Sequence, residues 1–136
     1  MKYFTFTEFE RSNTATRYAI DNSMPESAKK NVAALVDNVL DPLREAWGKP
    51  IQVTSGYRNP ELNKQVGGVA TSQHTSGQAA DITTGNKVDN ARLFQLAIDL
   101  GLPFDQLIWE KGDKTGPSWI HISHKQGNNR GQILKL

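Results

Sequence analysis

The sequence predicts an α+β fold in which helices pack on a small antiparallel sheet. Three observations carry this expectation. Apolar residues recur at helical spacing between residues 28 and 47 and again between 93 and 100. Four short runs, at 51–55, 79–83, 107–110 and 119–123, have strand character. The loop Lys111-Gly112-Asp113-Lys114-Thr115-Gly116-Pro117 separates the last two runs closely enough to make them a hairpin, whose strands must be antiparallel.

The elements follow in chain order. Thr7-Glu8-Phe9-Glu10 has the Thr-x-x-Glu form of a capping box, with Phe6 placed as the staple residue, so a short first helix is expected. Ser23-Met24-Pro25-Glu26 repeats the form and opens a longer helix. Its apolar face is Ala28, Val32, Leu35, Val36, Val39, Leu40, Leu43 and Trp47. Pro42 should kink this helix or start a new turn after Asp41, and Gly48 should end it. Ile51 to Ser55 alternates as a strand does. Gly56-Tyr57-Arg58-Asn59-Pro60 is a turn, and residues 61–66 form one helical turn before the Gly67-Gly68 loop. A second strand spans 79–83. Residues 89–100 are helical, closed by Gly101-Leu102-Pro103.

Composition bounds the function. A chain of 136 residues suits a single domain over 1–136 and can bury one core without covalent staples. It has no cysteine, so disulfides and thiolate metal sites are excluded. The net charge of +2 is modest, and no cluster of Lys and Arg is interleaved with aromatics, so nucleic acid is not an expected partner. No apolar run approaches ~18 residues, so no membrane span is expected. The opening Met1-Lys2-Tyr3-Phe4-Thr5-Phe6-Thr7-Glu8 is not that of a signal peptide, which suggests synthesis in the cytoplasm without one.

The chemistry concentrates in Ser72-Gln73-His74-Thr75-Ser76-Gly77-Gln78-Ala79-Ala80-Asp81-Ile82. His74 and Asp81 lie seven positions apart across a glycine, and Trp119-Ile120-His121-Ile122-Ser123 holds a second histidine. Two imidazoles and a carboxylate suit a catalytic zinc with one position left open, and nitrogen donors favour zinc over calcium or magnesium. Strand parity chooses among the histidines. Ile120 and Ile122 share a face with His124, and His121 shares the other with Trp119 and Ser123. With the isoleucines in the core, His121 faces a cleft, whereas His124 frays into solvent at the strand end. Asp81 is an unusual residue for an apolar strand and needs a partner. Glu110, facing His121 across the hairpin, is the candidate general base; an exposed strand-end acid is the alternative reading. Asp113 is the runner-up, in a less rigid loop. Arg58 could hold a substrate carboxylate bidentately, or form a structural salt bridge.

Ser72-x-His74-x-x-Gly77-x-x-x-Asp81 followed by Trp119-x-His121 resembles the zinc D-alanyl-D-alanine carboxypeptidases and the related vancomycin-resistance dipeptidases. Their fold is shared with the Hedgehog signalling domain. The Ser55-Gly56-Tyr57-Arg58 turn resembles that family's arginine-bearing element. Phe6-Thr7-Glu8-Phe9 and the Asn22 segment resemble its compact phage and prophage branch. The resemblance implies zinc (Zn2+) on His74, Asp81 and His121, a carboxylate base near the last ligand, and substrate contacts from Arg58 and Ser72. One departure stands out. Several relatives carry the base as Glu-x-x-His, and the corresponding residue here is Ser118.

The expected function is zinc-dependent hydrolysis of a peptide bond in the peptidoglycan stem peptide, as a carboxypeptidase or a cell-wall endopeptidase of endolysin type. The expected protein is a monomer, with phage-type release to the bacterial cell wall. A non-catalytic zinc-bearing module that binds cell wall or protein is the rival reading, motivated by Ser118. A phage structural protein using the fold as scaffold is a third.

Overall fold

The computed structural model describes residues 1–136. Helix α1 (Phe6–Glu10) is capped two residues earlier than the sequence pattern suggests. Thr5, not Thr7, is the N-cap, and Glu8 Oε2 accepts from the Thr5 backbone N–H at 2.7 Å. Thr-x-x-Glu occurs twice in overlapping registers, and packing selects between them. In the observed register Phe4 and Phe9 hold the staple positions, with ring centroids 6.4 Å apart, and both are buried. Glu10 is thereby free to accept from the Met24 backbone N–H. A second short helix, α2 (Asn13–Arg17), follows under a Ser12 cap.

The long helix begins at Glu26 rather than at Ser23, whose backbone and hydroxyl both turn back to Asp21. It runs as α3 (Glu26–Leu35), a π-helical stretch Val36–Leu40, and α4 (Asp41–Trp47). Pro42 supplies the physical reason for the widened turn. It has no N–H to give and its ring crowds the carbonyl four residues back. The helix answers one residue earlier, where the Asp41 N–H bonds Val36 O, five residues back. Gly48 ends it at φ 76°.

Five strands form one sheet in the order β1-β2-β4-β3-β5. They are β1 (Gln52–Ser55), β2 (Ala79–Thr83), β3 (Gln106–Glu110), β4 (Trp119–Ser123) and β5 (Gln132–Lys135). The hairpin of β3 and β4 is present, and β1, β2, β4 and β3 pair antiparallel. The fifth strand was not foreseen and pairs parallel to β3, so the sheet is mixed. Its residues are mostly exposed and lack an alternating apolar pattern, which is why it leaves no local signal.

One face of the sheet belongs to the core. Ala80, Ile82, Leu107, Ile120 and Ile122 pack with Val32, Leu35, Val36, Val39 and Leu43 of the long helix and with Leu93, Phe94 and Ala97 of α5 (Lys87–Asp99). All of these are almost fully buried. Each of the Val, Leu, Ile and Phe side chains among them contributes about 1.5–3 kcal/mol relative to exposure. This layer holds the sheet flat against the helices and leaves the opposite face free for polar groups. No helix is long and apolar enough to cross a membrane.

Candidate functional site

Side chains directly opposite in an antiparallel pair share a face. Asp81 pairs with His121, and the residue facing His121 across the hairpin is Ile108, not Glu110 as expected; Glu110 faces Trp119, two positions along the same face. The parity that buries Ile120 and Ile122 therefore sends Asp81, His121 and Glu110 to the other face, as the alternation in the sequence requires. A bulge between Val53 and Ser55 sits beside Asp81, where Thr54 Oγ1 donates to the Asp81 carbonyl.

His74 comes from outside the sheet. It lies on a 3-10 turn, Gln73–Ser76, that Ser72 caps by accepting from the His74 N–H at 3.2 Å. Ser72 borders the cleft, so its first role is to place His74, and its hydroxyl proton remains available to a ligand. Gly77 closes the turn at φ 77°, and a Cβ there would lie 2.6 Å from Ala28 O in α3. Conformation and close approach thus both demand the glycine of the Ser-x-His-x-x-Gly segment. On the other side, Gly56 touches α1 so closely that a Cβ would fall 2.7 Å from Phe9 Cα. The Gly56 carbonyl accepts from His74 Nδ1 at 2.7 Å. A carbonyl can only accept, so Nδ1 carries the proton and Nε2 presents its lone pair.

That lone pair meets the others. His74 Nε2 is 3.3 Å and His121 Nδ1 3.1 Å from Asp81 Oδ1. The ligating atoms of all three residues lie within 4.8 Å of one another. Donors around one tetrahedral zinc at about 2.0–2.1 Å stand about 3.3–3.4 Å apart, so the set fits a single zinc in both chemistry and spacing. Burial alone would push the Asp81 carboxyl up. The hydrogen bond from His121 Nδ1 and the adjoining His74 imidazole hold it well below the usual carboxylate range instead. The carboxylate is therefore kept ionised in a nearly closed setting, as a metal ligand must be.

The three residues line a cleft of about 500 Å³ that also holds Arg58, Ser72, Trp119 and Glu110. Arg58 has no carboxylate within salt-bridge range, which removes the structural salt bridge as its explanation. Its Nη1 donates to Asn63 Oδ1 at 3.1 Å, and its Nε is buried with no partner. Burial lowers its pKa, partly offset by the nearby charge of Asp81. A buried, unpaired guanidinium edge beside the triad is a ready receptor for an anion. Glu110 is half-buried and borders the cleft next to Trp119, and its backbone carbonyl accepts from Ser118 N–H. Asp113 is engaged elsewhere: it pairs with Lys87 at 3.1 Å and does not border the cleft.

His124 departs from expectation. It does not fray into solvent but is buried, its N–H bonded to Gln78 O, with Nδ1 unpartnered. The chain continues past β4 to pack beneath the turn at Gln78, which covers it. It is not among the residues that could hold a metal. Residues that sequence reasoning missed are Asn63, which steadies Arg58, and the trio Gln73, Asp105 and Arg130, joined by hydrogen bonds at the cleft's border. The one signal available was Gln73 itself, inside the His74 segment. Nothing local marked its partners.

Residues 2–123 match the family model for Peptidase M15. A zinc D-Ala-D-Ala carboxypeptidase of Streptomyces albus G is 35% identical over 86 residues, which cover 62% of this chain and 32% of that protein. The matched part thus spans about a third of the relative's length.

Proposed function

We propose that this chain, which belongs to the peptidase M15 family, hydrolyses a peptide bond in the stem peptide of the bacterial cell wall, using zinc held by His74, Asp81 and His121. The observation that carries the reading is the convergence of two imidazoles and one ionised carboxylate, at spacings that suit zinc, in a cleft that also holds an unpaired arginine and a free carboxylate. The relative's zinc and its D-Ala-D-Ala substrate agree with that donor set.

When bound, zinc supplies Lewis acidity that polarises the scissile carbonyl and acidifies water. The protein's own residues do the rest. Gly56 holds His74 in the tautomer that exposes Nε2. Arg58 receives a carboxylate of the peptide and sets its register. Glu110 takes the proton of the attacking water and delivers it to the leaving amine. Ser72 offers a hydroxyl at the border of the same cleft. Every group named comes from one chain, so the reading requires no second subunit, and its place of action is the cell wall.

A zinc-bearing binding module without turnover is the rival, and Ser118 in place of a Glu-x-x-His glutamate favours it. Incubation with purified peptidoglycan followed by mass spectrometry of released fragments separates the two. New amine and carboxylate ends support the peptidase; intact peptides retained on the zinc-loaded protein support the module. Glu110→Gln should keep its zinc and lose about 10²–10⁴-fold in turnover. Unchanged turnover would remove Glu110 from the mechanism.

A further inference from the structure

Lys125, Arg130, Gln73 and Asp105 form a polar cluster on the border of the cleft and have no part in the reading above. The hairpin sets its distance from the base. Glu110 pairs with Trp119 at one end, and Lys125 follows β4 beyond the other. Lys125 lies four positions after His121, a backbone span of about 13 Å when extended.

The cluster is held firmly. Asp105 is fully buried and both its oxygens are in use. Oδ1 accepts from the Arg130 backbone N–H at 2.9 Å and from its Nε at 3.1 Å. Oδ2 accepts from Arg130 Nη2 at 2.8 Å and from Gln73 Nε2 at 3.0 Å. Arg130 Nη1 is left without a hydrogen-bond partner. Lys125 Nζ lies 3.8 Å from Asp105 Oδ1, too far for a hydrogen bond, so its ammonium can turn to a nearer anion. The lysine is not on a loose tail. The Asn129 side chain accepts from the Lys125 N–H and donates to its carbonyl, each at 2.8 Å. One carboxylate against two cations leaves the cluster one positive charge.

Gln73 adds an independent observation. Its amide orientation is set, because turning it over would press Oε1 against the Asp105 carboxylate. In the set orientation Oε1 is buried with no donor. Buried acceptors without partners are uncommon in folded proteins, and this residue borders the cleft.

We propose that this part of the cleft is a subsite for an acidic residue in peptide linkage. The carboxylate goes to Lys125 and Arg130 Nη1, and Gln73 helps hold Asp105, which positions both cations. The inference rests on the cleft being a peptide site and adds where charge must lie along that peptide: within about four extended residues of the metal ligands. With Arg58 as the other anion receptor, the cleft favours an internally acidic peptide that carries two carboxylates over a short neutral one ending in a single carboxylate.

The test measures binding apart from cleavage. Two synthetic stem peptides, identical except that the internal acidic residue is a free carboxylate or its amide, are titrated calorimetrically into zinc-loaded protein. Amidation should weaken binding to the wild type about fivefold and weaken binding to Lys125→Gln by less, since Arg130 alone is left to receive the carboxylate. Lys125 is partly exposed, so this variant should fold. Equal affinity of the wild type for both peptides, an equal amidation loss in the variant, or no binding of either peptide overturns the subsite. The expected binding pattern without any cleavage keeps the subsite and removes the proposed hydrolysis. Cleavage of both peptides with equal KM removes the subsite and keeps the hydrolysis.

Discussion

Replacing Arg130 with alanine should destabilise the protein more than replacing its partner Asp105 with asparagine. The asymmetry follows from burial. Asp105 is fully buried, whereas the Arg130 side chain is 52% exposed. Arg130→Ala removes two of the four short hydrogen bonds to the carboxylate and strands a charge inside the protein. Gln73 and one backbone N–H remain, and Lys125 at 3.8 Å can close in. That places the cost near the lower end of the range for an orphaned buried charge, about 3 kcal/mol. Asp105→Asn removes the buried charge itself and frees a guanidinium that water can solvate, at about 1–2 kcal/mol. For 136 residues the unfolding entropy is about 0.29 kcal/mol per degree. The expected drops in Tm at pH 7 are thus about 10 °C and about 3–7 °C.

The pH dependence sharpens the test. Hydrogen bonds from Arg130 hold the Asp105 carboxyl well below the usual carboxylate range, against the opposing effect of burial. A group depressed in the folded state contributes stability above its unfolded value of about 3.9 and loses it as pH falls toward the folded value. In Arg130→Ala the partner is gone and burial pushes the carboxyl up, so acid relieves the variant while it weakens the wild type. The gap in Tm should narrow below about pH 4. Circular-dichroism melts of the three proteins at matched pH values read this directly. An Arg130→Ala protein that melts within about 3 °C of the wild type at pH 7, or a gap that widens in acid, would refute the reasoning.

Gly77→Ala should cost well over the about 1 kcal/mol of a left-handed backbone alone, because its Cβ meets Ala28 O at 2.6 Å. Gly48→Ala, at φ 76° with nothing within 4 Å, is the matched control, and equal melting of the two variants would dismiss the close approach. His124→Leu should flatten the decline in stability between about pH 7 and 5. Burial pushes the wild-type imidazole down, with Asp105 only partly opposing, so the unfolded chain takes up a proton first as pH falls below about 6.5. An unchanged slope of Tm against pH would contradict that sign. Asp81→Asn should weaken zinc binding by at least about 100-fold, read by competition with a chromogenic chelator, and full occupancy in that variant would exclude Asp81 as a ligand.

Local pattern was enough for much of the architecture. The runs that gave β2 and β4 their bounds at 79–83 and 119–123 are properties of each strand alone, and so is the parity that sets His121 opposite to Ile120 and Ile122. The helical face from Ala28 to Leu43 and its stop at Gly48 were equally legible. The three residues that converge in the cleft with spacing suited to a metal could be named because two lie in one short segment and parity chose the third. Other features had no local mark. The choice of Thr5 over Thr7 as a cap was made by the burial of Phe4 and Phe9, and the π-helical turn by accommodation of Pro42 within a packed helix. Strand β5 exists because β3 offers it an edge, and His124 is covered by the turn at Gln78. Gln73 and Arg130 meet on Asp105 from 32 and 25 residues away. Periodicity records which face of an element is apolar. It does not record which distant charge or amide will stand opposite, and only the closed tertiary structure decides that.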